Sequence, residues 1–331
     1  MKALLVAINA QFVHTNLAVR LLRRASGGRA DLLELNINLP RRRMLHDIAR
    51  RGPDLVAFSC YIWNIGHALA LAQSLKAALP GVRVALGGPE VSFDGAARLA
   101  AHPAIDFILA GEGELSFPAL LDALPGGALG GVPGLIWREG GAIVDNGRPP
   151  LLPPDRWIEP YERLDGLEGR ILYAETARGC PYRCGYCLSG GDAPVRALPA
   201  DAAAARLIGM AEGGATLIKL VDRTFNFDRR RADAIWAALI EHSRRTGLSP
   251  TYHFEIAGDL IDERAIGVLS AAPNGLFQFE AGIQSATPAA LRAVGRSADV
   301  KKVAAGIAAL VALGNASVHV DLIAGLPGED L

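Results

Sequence analysis

The chain lacks an excess of charge of either sign: 34 Lys and Arg are matched by 34 Asp and Glu over 331 residues. Proteins that grip nucleic acid through its phosphates usually leave a positive balance, so no nucleic-acid signal is present. The sharpest basic run, Arg41-Arg42-Arg43, is short and reads as a solvated helix start. No uninterrupted apolar stretch approaches the roughly 20 residues that span a bilayer. Met1 to Ala10 carries one charge and a short apolar run, and reads as a buried first strand rather than a signal peptide. A cytoplasmic protein with no membrane partner is expected. Low-complexity segments are missing, and the balance of 50% hydrophobic and 21% charged residues is that of a globular chain. Cysteine is scarce as well. There are four, yet three fall between positions 180 and 187. Disulfides would be an odd use of so tight a group in the cytoplasm, which leaves metal ligation or redox chemistry.

The length suggests about two domains. In the first part, strands are expected at 2–8, 31–37, 54–60, 82–86 and 105–109, with helices at 16–26, 43–51, 66–79 and 95–101 between them. The run from Asp54 to Cys60 is almost wholly apolar, as a strand buried on both faces must be. Such a rhythm predicts a doubly wound, flavodoxin-like parallel sheet, whose ligands bind beyond the strand C-termini. Residues 125–165 are rich in Gly and Pro and predict a hairpin (135–137 with 142–144) and a linker. From 166 the βα alternation returns, with strands at 171–176, 216–222, 251–257, 276–282 and 317–323 and helices at 201–212, 231–245 and 301–313. This predicts a partial TIM-type (β/α) barrel. About five strands are visible, so the barrel is expected to be incomplete and the sequence to be cut short at Leu331. The expected organisation is 1–124, a linker at 125–165, and 166–331.

Cys180, Cys184 and Cys187 stand in the spacing C-x3-C-x2-C directly after a strand. Three thiolates on one loop can converge on one metal centre. A 4Fe–4S cluster ordinarily takes four cysteines, so three leave an iron with an open position, as catalytic metal centres have. Zinc is the rival, but its structural sites need a fourth Cys or His in paired spacing, which His253 or Cys60 could supply only through the fold.

This spacing, with Tyr186 before the last cysteine, resembles the signature of the radical SAM superfamily. Three later strand ends resemble further segments of that family. Asp222-Arg223-Thr224-Phe225 is similar to an Asp-x-x-Phe segment of its cobalamin-linked members. Glu280-Ala281-Gly282-Ile283-Gln284-Ser285 resembles Glu-x-Gly-[IV]-Gln-Ser, and Gly325-Leu326-Pro327-Gly328-Glu329 resembles Gly-Leu-Pro-Gly-Glu. The resemblance implies a 4Fe–4S cluster on Cys180, Cys184 and Cys187 that binds S-adenosylmethionine and cleaves it to a 5′-deoxyadenosyl radical. It also implies contacts to S-adenosylmethionine from Tyr186, Asp222, Glu280, Gln284, Ser285, Gly325 and Glu329. The plainer reading of Glu280 is a buried acid paired with Lys219.

Placed before such a barrel, the N-terminal part resembles the cobalamin-binding domain of the B12-dependent subgroup. The resemblance implies cobalamin contacts at the strand ends: His14, Cys60, Gly87, Gly88, Gly111, Glu112 and Gly113. No Asp-x-His-x-x-Gly motif occurs, so a lower cobalt face without a protein histidine is expected. His14 alternatively reads as a polar loop residue, and Cys60 as a small buried apolar one. Tyr61 and Trp63 could pack on a corrin or on the barrel. The implied function is a cobalamin-dependent radical SAM enzyme, most simply a methyltransferase acting on an unactivated carbon. A radical cyclase of the porphyrin cyclase type is the alternative among enzymes, and a non-catalytic cobalamin or redox sensor the alternative of another class. A small-molecule or otherwise unidentified substrate and an electron donor such as flavodoxin or ferredoxin are the implied partners.

Overall fold

The computed structural model describes residues 1–189, 194–296 and 299–329. They fall into two compact units, Met1–Glu162 and Arg163–Leu331.

The first unit is built on a seven-stranded sheet of order β2-β1-β3-β4-β5-β6-β7. The strands are β1 (Ala3–Asn9), β2 (Ala30–Asn36), β3 (Leu55–Ser59), β4 (Arg83–Gly87), β5 (Phe107–Leu109), β6 (Leu135–Glu139) and β7 (Ala142–Asp145). The first five run parallel. Their apolar runs are continuous because both faces are covered. Leu4, Val6 and Ile8 face a core completed by α2 (Arg41–Ala49), α3 (Ile65–Ala78) and α4 (Gly95–Ala101), through Met44, Ile48, Leu71, Leu75 and Leu99. Ala3, Leu5 and Ala7 face the opposite core, where α1 (Leu17–Ala25) and α5 (Gly113–Ala123) contribute Val19, Phe117 and Leu120. The order in which strands are added reverses between β1 and β3, which makes their carboxyl ends the topological switch point.

The hairpin is not a free linker element. β6 pairs antiparallel with β5, and Leu135 and Ile136 enter the two cores on opposite faces. It covers an edge that would otherwise present unpaired backbone groups. The following stretch is tied back to the same unit. The Leu152 N–H donates to Glu112 Oε2 (3.0 Å), and the Tyr161 and Thr15 hydroxyls share a hydrogen bond of 2.9 Å. The 125–165 segment expected as hairpin and linker therefore belongs with the first sheet almost to its end.

The second unit holds a five-stranded parallel sheet in simple order, β8-β11-β12-β13-β14. These are β8 (Ile171–Ala174), β11 (Leu217–Leu220), β12 (Thr251–Ile256), β13 (Phe277–Gln284) and β14 (Ser317–Leu322). Two short strands, β9 (Ala177–Arg178) and β10 (Arg196–Ala197), form a separate antiparallel pair. The helices are α6 (Ala200–Glu212), α7 (Arg229–Thr246), α8 (Glu263–Leu269), α9 (Pro288–Ala293) and α10 (Val300–Leu313). Each long strand pairs with its successor, the winding of a barrel wall rather than of a doubly wound sheet. Alternation sorts the side chains. Phe254, Phe277 and Phe279 pack with Phe225 and with Trp236 of α7, edge-on in several pairs. Lys219, His253, Glu255, Glu280, His319 and Asp321 take the alternate positions, on the other face.

Candidate functional site

The cysteine loop leaves the sheet through Thr176 and is closed at its neck by the β9–β10 pair, Arg178 opposite Arg196 and Ala177 opposite Ala197. All three of its cysteines are free thiols. Cys180 is half-buried, Cys184 buried and Cys187 exposed. The Cys187 N–H donates to the Cys184 carbonyl (3.0 Å), and the Gly185 N–H to the Val294 carbonyl beyond α9 (2.8 Å). Among the described residues no three Cys, His, Asp or Glu side chains are gathered as a finished metal site. The donor set itself suits an iron–sulfur cluster: three soft thiols on one loop, none of them in a disulfide.

Two neighbours of the thiols come from other elements. The Arg296 guanidinium donates to the Gly282 carbonyl (2.7 Å) and lies 3.7 Å from Cys184 Sγ and 3.4 Å from the Tyr186 hydroxyl. It also sits over the Tyr182 ring at 5.7 Å. The Thr224 hydroxyl lies 3.5 Å from Cys180 Sγ. Neither residue stands out in the sequence. Arg296 follows Gly295, a left-handed glycine that ends the α9 turn, and that helix-stop signal was the available pointer to it.

Asp222, expected as a cofactor contact, is held in a buried group at the base of the cysteine loop. It is fully buried. Its carboxylate accepts from the Thr176 N–H (2.7 Å) and from the Thr176 hydroxyl. Arg231 completes the group, donating to the Thr176 carbonyl (3.0 Å), the Thr176 hydroxyl (2.9 Å) and the Leu198 carbonyl (2.8 Å). Burial pushes the Asp222 carboxyl up, against the hydrogen bonds from Thr176 and the charge of Arg231. Asp222 thus fastens the base of the cysteine loop.

At the end of β13 the ladder with β14 shifts between Gly282 and Gln284. Gln284 has φ of +70°, the one non-glycine in that region among the described residues. Its amide folds back over Gly282, where an added Cβ would come within 2.0 Å of Nε2. A strained backbone held by its surroundings is a mark of functional positions. Ser285 and Glu329, expected as separate contacts, hydrogen-bond to each other. Leu326, between Gly325 and Glu329, is buried with Ala290 and Val294. These strand-end segments are therefore brought together next to α9 and the cysteine loop.

Glu280 is paired with Lys219 (3.3 Å) as the plainer reading had it, and with His253 Nε2 (3.0 Å). Burial and Lys219 push the His253 imidazole down. Burial first, then the neighbouring Glu280, pushes the Asp321 carboxyl up. This face of the sheet is a polar floor of acids and histidines with one lysine.

In the first unit, polar side chains occupy the switch point. Asn9, Asn16, Ser59 and Asn64 are buried. The Asn64 amide donates to the Ile8 and Ser59 carbonyls (both 2.9 Å), and Asn9 Nδ2 to the His14 carbonyl (2.8 Å). His14 is half-buried in this loop. Around them, Phe12, Ile62, Trp63 and Phe93 are exposed at the ends of β1, β3 and β4, with Tyr61 stacked on Trp63 at 4.5 Å. Buried polar groups within an apolar rim at a switch point are the usual make-up of a ligand site in such a sheet.

Several of the residues expected at the cobalamin site have structural duties. Cys60 is fully buried, its Sγ directed to the Phe58 carbonyl, so it does not present its thiol to a ligand. Gly88 has φ of +108°, and a Cβ there would meet the Cys60 carbonyl oxygen at 2.6 Å. Gly113 lets α5 approach Leu22 of α1, Gly111 packs against Pro149, and the Glu112 carboxylate holds Leu152. At Gly87 an added Cβ would meet nothing closer than the Leu109 carbonyl oxygen at 3.6 Å.

A family model described as the B12 binding domain matches residues 3–121, and one described as the Radical SAM superfamily matches 175–331. The 2-(S-pantetheinyl)-carbapenam-3-carboxylate methyltransferase of Streptantibioticus cattleyicolor is 37% identical over 160 residues, 44% of this chain and 23% of that protein. An uncharacterised methyltransferase of Pyrococcus horikoshii, PH0819, is 27% identical over 267 residues, 75% of this chain and 55% of that one. Among solved structures, the radical S-adenosylmethionine methyltransferase TsrM of Kitasatospora setae superposes with a TM-score of 0.80 over 99% of this chain and 68% of its own, at 19% identity, a likeness of fold. The chain belongs to the radical SAM superfamily, in the group whose barrel follows a B12-binding domain. It spans between about a quarter and about half of the length of these curated relatives.

Proposed function

We propose that this chain is the cofactor-binding part of a cobalamin-dependent radical SAM methyltransferase whose acceptor is an unactivated carbon. The observation that carries this is the order of two sites on one chain: a flavodoxin-like sheet with a polar, apolar-rimmed switch point, then a barrel wall whose first strand leads into C-x3-C-x2-C. Cys180, Cys184 and Cys187 would hold a 4Fe–4S cluster, and the strand ends of the first unit a cobalamin. When bound, the cluster with S-adenosylmethionine supplies a radical able to open a C–H bond, and cobalamin supplies the methyl group.

The chain's own residues have narrower tasks. The Asp222, Thr176 and Arg231 group fixes where the cysteine loop departs. Arg296 brings a cation beside Cys184 and Tyr186, suited to a carboxylate. Gln284, Ser285 and Glu329 present amide, hydroxyl and carboxyl groups suited to an amino acid or a ribose. The polar floor of Lys219, Glu255, Glu280 and Asp321 orients whatever polar substrate enters. A reductant such as flavodoxin or ferredoxin is required to supply the electron. A sensor would need the cysteines but not this second set of polar strand ends.

The test is anaerobic reconstitution of the chain with iron and sulfide, addition of cobalamin, and reduction with S-adenosylmethionine. A brown, cobalamin-bound protein that releases 5′-deoxyadenosine or S-adenosylhomocysteine is expected. A loaded protein that produces neither would leave the sensor reading in its place.

A further inference from the structure

We propose that the Thr224 hydroxyl is a positioning and tuning residue for Cys180, donating a hydrogen bond to its thiolate and thereby raising the reduction potential of the cluster. The inference rests on the cluster reading above and deepens it.

The starting observation is the contact of 3.5 Å between Thr224 Oγ1 and Cys180 Sγ, across 44 residues of sequence. Sulfur hydrogen bonds are longer than those to oxygen, so this is a contact of bonding length. Between a thiol and a hydroxyl either group can donate. Once Cys180 is a metal ligand it is a thiolate and has no proton. Only Thr224 can then donate. Its single proton has a competing acceptor, the Arg223 carbonyl at 2.8 Å. That acceptor is neutral, whereas a bond to an ionised partner is about twice as strong. Ionisation of the sulfur therefore favours turning the hydroxyl toward it.

Thr224 is also held in place. It is buried, 7% exposed. Two residues before it, Asp222 is locked to Thr176, whose carbonyl and hydroxyl Arg231 also holds. Two residues after it, Asn226 is fixed by a reciprocal pair with Ala257, accepting from its N–H (2.8 Å) and donating to its carbonyl (2.9 Å). The same Asp222 anchors the chain four residues before Cys180. Donor and acceptor are thus referred to one buried group, which fixes the distance between them. Cys187 is exposed, so the three ligands are electrostatically unequal: Cys180 beside a hydroxyl, Cys184 beside a guanidinium, Cys187 toward solvent. Hydrogen bonds to cluster sulfurs stabilise the more negative, reduced state and raise the potential.

The experiment compares wild type, Thr224→Val and Thr224→Ser after anaerobic reconstitution with iron and sulfide. The midpoint potential is read by electron paramagnetic resonance at set potentials, without S-adenosylmethionine or turnover. Valine keeps the shape and removes the hydroxyl. The expected result is a more negative potential for Thr224→Val, with the reduced-to-oxidised ratio at fixed potential down about tenfold, or ~59 mV for a one-electron couple. Thr224→Ser should stay near wild type. The signal reports only clusters that have formed, so a lower yield in a variant does not obscure the reading, and Thr224→Ala serves if valine prevents loading. An unchanged potential in a loaded hydroxyl-less variant, or an equal fall in Thr224→Ser, overturns the inference alone. A wild-type chain that takes up no cluster overturns the proposed function with it.

Discussion

Cys60 and Cys187 show how differently one residue type is treated along this chain. Burial pushes the Cys60 thiol up to about 12, while Cys187 is exposed on its loop. In the cluster-free protein at pH 8, iodoacetamide should label Cys187 readily and leave Cys60 unlabelled until denaturant is added, as peptide mass spectrometry would read. The sign of the pH effect follows from the same burial. The unfolded thiol ionises near 9 and the folded one near 12, so the contribution of Cys60 to stability is complete below pH 9 and is lost as pH rises between these values. Asp222 makes a second prediction at this scale. Asp222→Ala would leave the buried Thr176 N–H and hydroxyl without their acceptor, and should cost about 1–3 kcal/mol, read as a lower denaturation midpoint in urea. A substitution that leaves the midpoint unmoved would contradict the bolt. The sequence marked Asp222 as chemically special but could not say in what way, because a carboxylate facing a cofactor and one facing a buried threonine have the same spelling.

At the scale of elements, most strands and helices are legible because each obeys one period. The β1 sequence is apolar at every position and buried at every position. In β12 and β13, alternation separates the aromatic side packed on α7 from the polar side. Trp236 of α7 packs against Phe225, Phe254 and Phe279. Trp236→Ala should cost roughly 3–5 kcal/mol, measurable by denaturation. Less legible was the place of the hairpin. Its pairing with β5 depends on two strand edges meeting, which the local Gly- and Pro-rich composition does not encode. Arg296 was missed for a similar reason: its partners Cys184, Tyr186 and Gly282 lie on two other segments. Arg296→Met, which keeps the aliphatic stem, should loosen this join. Faster hydrogen exchange at 182–187 is expected, with weaker S-adenosylmethionine binding by the reconstituted protein. Protection equal to wild type would count against the role.

For the whole molecule, two units with separate cores predict separable cofactor binding. Replacing Cys180, Cys184 and Cys187 together with Ala should remove bound iron and its brown colour while cobalamin uptake, read from its visible spectrum, stays within about twofold of wild type. Loss of both together would show that the sites depend on each other. Among the described residues no helix is long and apolar enough to cross a membrane.

By itself the sequence determined the two fold classes, the order of the units and the loop bearing three thiols. Those features rest on hydrophobic periodicity and on spacing within a few residues, which are written along the chain. Only the tertiary structure decided which marked residues face outward and which are bolts. It turned Cys60 and Asp222 inward, joined Ser285 to Glu329, gave Gly88 and Gly113 their close contacts, and set Thr224 and Arg296 beside the cysteines. Contacts between residues dozens of positions apart arise from packing and burial, and no local pattern carries them.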